Sequence, residues 1–225
     1  MSKVIEVKNL TKTFRDGDAK VNALHNISFE LNEGENLAII GTSGSGKTTL
    51  LHLLGGLEKS SEGDIFLDGK SISSMNDKAL SKFRNQTIGF VFQFFYLLEY
   101  LTAKENVALP AIIKTGKRKA SLKKAEELLE AVGLSHRMNH YPNQISGGEM
   151  QRIAVARALI NDPKIILADE PTGNLDKENA ERILNIFDEI SKQKGVSVVV
   201  ITHDNWISQK FENVLKLDKG KLIKG

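Results

Sequence analysis

No cysteine occurs among the 225 residues, which excludes disulfides and thiolate metal sites and permits a reducing compartment. Only four prolines are present, with no low-complexity stretch, so a long flexible hinge is not expected. The longest apolar runs, such as 196–201, have the length of a strand and fall far short of the roughly 20 residues of a membrane-spanning helix. Glu6 interrupts the start, where a secretory signal would need an unbroken apolar stretch. The expectation is a soluble, cytoplasmic chain that meets a membrane only through a partner. An excess of one charge is also missing. The 31 Lys and Arg against 28 Asp and Glu leave +3, too little to argue for nucleic acid, and no nucleic-acid partner is expected. What is present is globular composition, 40% apolar and 26% charged, at a length that suits one large domain or a core with an inserted subdomain.

Hydrophobic patterning gives the organisation. Ile27, Phe29 and Leu31 alternate with polar residues before a turn at 32–35. Residues 37–40 are continuously apolar, as in a strand buried on both faces, and a helix is predicted over 47–54. Strands are predicted at 65–67, closed by Asp68-Gly69, and at 88–92, stopping at Gln93; the first ninety residues otherwise read as strands and tight turns. In the middle third, Leu122, Ala125, Leu128, Leu129 and Val132 recur at helical spacing, with Ser121 as N-cap and Gly133 as stop. A second helix follows Ser146-Gly147-Gly148, with Ile153, Ala156, Leu159 and Ile160 on one side. Then come a strand at 165–168, a helix at 177–194, a strand at 196–201 and a hairpin of 214–217 with 222–223. This alternation predicts an α/β fold with a parallel core, into which a helix-rich stretch of about 94–161 is inserted.

Gly41-Thr42-Ser43-Gly44-Ser45-Gly46-Lys47-Thr48, followed by Thr49, satisfies G-x-x-x-x-G-K-[ST] between a predicted strand and a predicted helix. Glycines there let successive N–H groups face a phosphate, and the helix N-terminus adds a favourable dipole. Lys47 then reaches the β- and γ-phosphates, and the Thr48 hydroxyl can ligate Mg²⁺. The apolar strand 165–168 ends in Asp169-Glu170. After a Walker A motif this reads as a Walker B, with Asp169 in the Mg²⁺ shell and Glu170 orienting and deprotonating a water. No Asn-Lys-x-Asp for guanine is present, which weakens a GTPase reading, whereas a small-molecule kinase stays open on these two motifs alone.

A third stretch narrows the choice. Ile145-Ser146-Gly147-Gly148-Glu149-Met150-Gln151-Arg152 resembles the signature of ATP-binding cassette (ABC) ATPases, usually Leu-Ser-Gly-Gly-Gln, and the resemblance covers nearly the whole chain. It implies a P-loop NTPase cassette: a RecA-like parallel core with an N-terminal antiparallel β subdomain (1–93 and 162–225) and an inserted helical signature subdomain (94–161). It also implies hydrolysis of ATP with Mg²⁺, and a homodimer in the ATP-bound state. Ser146, Gly147, Gly148 and Glu149 of one chain would then cap the ATP on the partner's P-loop. By the same resemblance Phe14 stacks on adenine, Gln93 senses Mg²⁺ and the lytic water, and His203 contacts the γ-phosphate. Asn174-Leu175-Asp176 resembles the D-loop that crosses the dimer interface, with Gly173-Asn174 replacing the commoner Ser-Ala.

Residues 89–94, 101–107 and 168–176 are similar to the MacB/LolD/FtsE-type group within the family, and 168–176 especially to its lipoprotein-releasing members. That resemblance implies an ATPase on the inner face of the cell membrane, bound to an integral membrane permease. Its alternative roles are MacB-type or antimicrobial-peptide efflux, and FtsE-like regulation of division. Phe94, Phe95, Tyr96 and Tyr100 crowd the segment that borders the groove for the permease's coupling helices in such ATPases. The basic run Lys114, Lys117, Arg118, Lys119, Lys123 and Lys124 reads as a solvated face, with anionic lipid as the second reading. His25, His52, His136 and His140 read as structural or solvated.

Overall fold

The computed structural model describes residues 2–16 and 19–223, and they form two sheets and seven α-helices. Strands β1 (Lys3–Asp16) and β2 (Ala19–Asn32) pair antiparallel. With β4 (Glu62–Leu67) and β5 (Lys70–Ser71) they make a sheet of order β2-β1-β4-β5. The second sheet has order β10-β9-β3-β8-β7-β6. It comprises β3 (Leu37–Ile40), β6 (Ile88–Phe92), β7 (Ile165–Asp169), β8 (Ser197–Thr202), β9 (Asn213–Asp218) and β10 (Lys221–Ile223). All pairings in it are parallel except the β9–β10 hairpin at its edge. Every residue of β8 is buried, as expected of a central strand covered on both faces.

Helix α1 (Lys47–Leu54) lies between the sheets, where Leu50, Leu51, Leu53 and Leu54 pack with Ile5, Leu24, Ile27 and Leu31. The opposite face of the parallel sheet packs α5 (Gly147–Leu159) and α6 (Lys177–Lys194) in a second core that also holds α3 (Ala103–Thr115) and α4 (Arg118–Ala131). Because β3, β6, β7 and β8 run in one direction, their C-terminal ends share an edge: Ile40 pairs with Thr202, and Asp169 with both Phe92 and Ile201. Ligands of open parallel sheets bind outside such an edge.

Helices 47–54 and 177–194 and strand 88–92 fall where the patterning put them. Several bounds differ by a few residues, and three differences have a clear physical content. The segment read as strands and turns contains α2 (Asp77–Thr87), whose N-cap Asn76 accepts from the Ala79 N–H at 2.9 Å. Only Leu80, Phe83 and Thr87 of its eleven residues are buried, which left a faint stripe. Helix α4 begins at Arg118 instead of after Ser121, because α3 ends in a left-handed Gly116 (φ 69°) that lets the chain turn at once. Ser121 is buried inside α4, its hydroxyl donating to the Lys117 carbonyl at 2.9 Å. The strand read at 196–201 lies one residue later, at Ser197–Thr202.

Helix α5 crosses β6 at close range. A Cβ on Gly89 would stand 2.5 Å from the Ala158 carbonyl oxygen. Gly89→Ala should therefore push strand and helix apart at a cost of about 1–3 kcal/mol, as overpacking does. At ~2–4 °C per kcal/mol for a chain of this size, thermal unfolding would show the loss, and an unshifted midpoint would show that the contact yields freely.

Candidate nucleotide site and signature turn

Beyond the end of β3 the chain loops through residues 41–46 into α1. The loop is built on close approaches: a Cβ on Gly41 would meet the Leu217 carbonyl oxygen at 2.2 Å. Gly46, with φ 102°, caps α1 without any side-chain hydrogen bond. The first N–H groups of the helix therefore keep their capacity for an anion. Lys47 is only 8% exposed and donates to the Gly41 and Thr42 carbonyls, both at 2.9 Å. Ser45 is buried in the same loop, with a hydroxyl that has no partner. The loop opens on a cavity of about 1240 Å³, which Gln93, Glu170 and His203 also line.

Phe14 lies outside that lining. It pairs across β1 and β2 with Val21, which does line the cavity, and the Lys12 ammonium sits 4.7 Å from its ring centroid. Thr42, Ser43, Gly44, Thr48 and Thr49 all face the cavity.

The acidic pair stands at the end of β7. Burial pushes the Asp169 carboxyl above the usual carboxylate range and the Glu170 charge adds to this, while a hydrogen bond with Thr48 opposes it. A divalent cation would reverse that shift. The Thr48 hydroxyl and the Asp169 carboxylate bonded to it are hard oxygen donors that fit Mg²⁺; Thr48 and Gln93 line the cavity, and Asp169 reaches it only through Thr48. Among the described residues no group of three His, Cys, Asp or Glu could hold a metal by itself, so nucleotide phosphates and water must complete any Mg²⁺ shell.

Glu170 has φ 44°, in the left-handed region that non-glycine residues seldom adopt, and its N–H is held by the Ile201 carbonyl at 2.9 Å. Its carboxylate accepts from the Thr202 hydroxyl and the His203 N–H, each at 3.0 Å, and lies 2.8 Å from His203 Nδ1. The two strand-end residues singled out from sequence thus touch each other.

The signature residues are placed elsewhere. Ser146 caps α5: its hydroxyl accepts from the Glu149 N–H at 3.4 Å, and the Glu149 carboxylate accepts from the Ser146 N–H at 2.9 Å. None of residues 146–149 lines the cavity at Lys47. Between the two regions run Asn174, Leu175 and Asp176. Asn174 exchanges hydrogen bonds with Gln93, from its Nδ2 to the Gln93 carbonyl at 3.1 Å and from Gln93 Nε2 to its Oδ1 at 3.4 Å. The Leu175 N–H donates to the Thr172 carbonyl at 3.0 Å, and Asp176 caps α6 through the Asn179 N–H at 2.8 Å.

Two residues without a role in the sequence reading join these parts. Gln151, fully buried on α5, donates to the Pro171 carbonyl at 2.7 Å and to the Phe92 carbonyl at 3.4 Å. Arg157, at the far end of the helix, donates to the Phe95 and Tyr96 carbonyls at 2.7 and 2.5 Å, and burial lowers its pKa to about 10. A polar residue whose neighbours at i+3, i+4 and i+7 are all apolar (Ala154, Val155 and Ala158) was the available signal for Gln151.

A phosphate loop, an acidic strand end and a separate anion-receptive turn on this two-sheet fold define an ATP-hydrolysing cassette. The family model for ABC transporters matches residues 24–173, and the chain belongs to that family as an ATP-binding subunit. It is similar to the cassette MJ0796, solved as a dimer in a post-hydrolysis state bound to ADP and Pi. That structure is 41% identical over 98% of this chain and 97% of that one, with a TM-score of 0.91. A second dimeric structure of MJ0796, described as a bacterial ABC transporter cassette, is 42% identical with the same coverage and TM-score. CbiO1 from Clostridium perfringens, part of the cbiONQ transporter complex, is 29% identical over 100% of this chain and 88% of that one, at 0.89. No helix among the described residues is long and apolar enough to cross a membrane.

Proposed function

We propose that two copies of this chain close head to tail on the cytoplasmic face of a membrane permease. Each ATP would be held between residues 41–49 of one copy and 146–149 of the other. The observation that carries the reading is the separation of the two anion-receptive helix starts, at Lys47 and Gly147, which share no cavity within one chain. The ADP- and Pi-bound dimer of MJ0796 supports it.

In this reading Lys47 exchanges its two carbonyl acceptors for phosphate oxygens, and Phe14 offers its ring to adenine. Thr48, Asp169 and Gln93 would hold Mg²⁺, which supplies neutralisation of phosphate charge when bound. Glu170 takes the proton of the attacking water, while His203, fixed against it, faces the γ-phosphate. Residues 94–161 move as a unit, and the D-loop residues 174–176 register one copy against the other.

Complementation tests the arrangement. A Lys47→Ala chain and a Ser146→Arg chain should each be inactive, yet a mixed dimer keeps one site with both halves intact. Mixing them should restore ATP hydrolysis; failure of the mixture to recover any would overturn the head-to-tail reading.

The permease contact is assigned to a second cavity, of about 1080 Å³, beside β6. Phe90, Phe92, Tyr96, Pro110 and Ile113 supply apolar walls. Lys78, Lys82, Arg84, Lys114 and Arg157 line it too, without one acidic residue. An amphipathic cytoplasmic helix bearing carboxylates matches both features. Lys78→Glu with Lys82→Glu should cut recovery of the permease from detergent-solubilised membranes several-fold, with an unchanged unfolding midpoint showing that the chain is folded. Equal recovery would remove these lysines from the contact. For cargo, the stretch 168–176 supports lipoprotein release. A retained permease without a large extracytoplasmic domain would overturn that assignment.

A further inference from the structure

We propose that Arg137 is a positioning residue of the signature turn, neutralising Glu149 so that the turn can accept the γ-phosphate of an ATP held by a second copy. The inference rests on the head-to-tail reading above. Its starting point is a conflict of charge. Glu149 stands where glutamine is usual in the family's signature, and a carboxylate at the third position of α5 suits the helix, since it closes a capping box and opposes the positive end of the dipole. The same carboxylate is a poor neighbour for an incoming triphosphate, because like charges brought together out of bulk water repel strongly.

The structure answers the conflict within the turn itself. The Glu149 side chain is only 13% exposed, and its two oxygens have separate partners. Oε2 accepts from the Ser146 N–H at 2.9 Å and the Ser146 hydroxyl at 2.7 Å, which fixes the serine. Oε1 accepts from Arg137 Nε at 2.8 Å, with His136 Nε2 at 3.7 Å. Burial alone would raise the Glu149 pKa, but the bonds from Ser146 and Arg137 together hold it at about 2, so it is ionised throughout the neutral range. Arg152, one turn further along α5, also feels the Glu149 charge, but its guanidinium donates to Asn179 at 3.4 Å.

Arg137 comes from outside α5. It ends a 3-10 turn, Ser135–Arg137, that follows the fully buried Leu134. The Leu134 N–H is tied to the Leu129 carbonyl of α4 at 2.7 Å, and the Arg137 N–H to the Leu134 carbonyl at 2.9 Å. The guanidinium is thus delivered from a fixed point on α4, and it cancels the carboxylate charge on the side away from the serine.

The test uses ATP-driven dimerisation of the full chain in a Glu170→Gln background, followed by size-exclusion chromatography with light scattering. Arg137→Gln should raise the ATP concentration for half-maximal dimerisation at least tenfold, and Arg137→Lys, which keeps the charge, less than threefold. Adding Glu149→Gln to Arg137→Gln should recover most of the loss, because no charge then needs cancelling. A purely structural role for Arg137 predicts instead that the second change leaves the loss in place or deepens it. Unimpaired dimerisation of Arg137→Gln, or a loss that Glu149→Gln does not relieve, would overturn the inference alone. A Glu170→Gln background that stays monomeric with ATP would overturn the head-to-tail reading and this inference with it.

Discussion

Glu170→Gln should slow ATP hydrolysis by at least about 100-fold, the lower range for removing a positioned general base. It should still bind ATP, and the dimer should persist for want of turnover. The geometry makes the substitution a clean one. Glu170 accepts from the Thr202 hydroxyl and the His203 N–H through different oxygens, and a glutamine of the same shape keeps an acceptor for one of them. Its left-handed backbone is held by the Ile201 carbonyl, independently of the side chain. What is lost is a group able to take a proton from water. Single-turnover hydrolysis beside equilibrium ATP binding separates chemistry from affinity, and near-normal turnover would remove Glu170 from the role of base.

Lys47→Ala should act on the other quantity. A hydrogen bond to a charged group is worth ~1.5–3 kcal/mol, so deletion of the ammonium should weaken ATP binding by about 10- to 150-fold. Folding should suffer far less. The Gly41 and Thr42 carbonyls that lose Lys47 Nζ belong to residues lining an open cavity, where water can replace the donor. Calorimetric titration with ATP, paired with a thermal melt, would show the split. Retained affinity would place the phosphates somewhere other than this loop.

Asp169, Glu170 and His203 each end or directly follow an apolar strand of the parallel sheet, and Lys47 follows another across the loop 41–46. Chain order therefore brings them toward one edge, while the role of His203 came from the resemblance. The P-loop was legible because its chemistry lies in the backbone, which glycine spacing encodes. Contacts made by single long side chains across the fold were not. Gln151 reaches carbonyls of two other segments, and nothing local distinguishes it from a surface glutamine except its apolar neighbours Ala154, Val155 and Ala158 on the same face of the helix. Arg137 and Glu149 are twelve residues apart, and their pairing depends on how the chain turns after α4. Helix α2 hid because a helix lying on the surface needs only a few apolar positions. The place of Phe14 at the adenine rests on resemblance; in the structure it does not line the cavity itself but pairs with Val21, which does.

Helix α5 starts at the turn capped by Ser146, is pinned at Gln151 and grips Phe95 and Tyr96 with Arg157. At 1.5 Å per residue, Gln151 stands about 6 Å from Gly147 and about 9 Å from Arg157. The helix is also seated on β6 at its far end, where Ala158 lies against Gly89, so the signature turn and the Phe95–Tyr96 segment are the two ends of one continuously packed element. On the head-to-tail reading, a displacement at the signature turn would reach the aromatic segment through thirteen residues of a single helix.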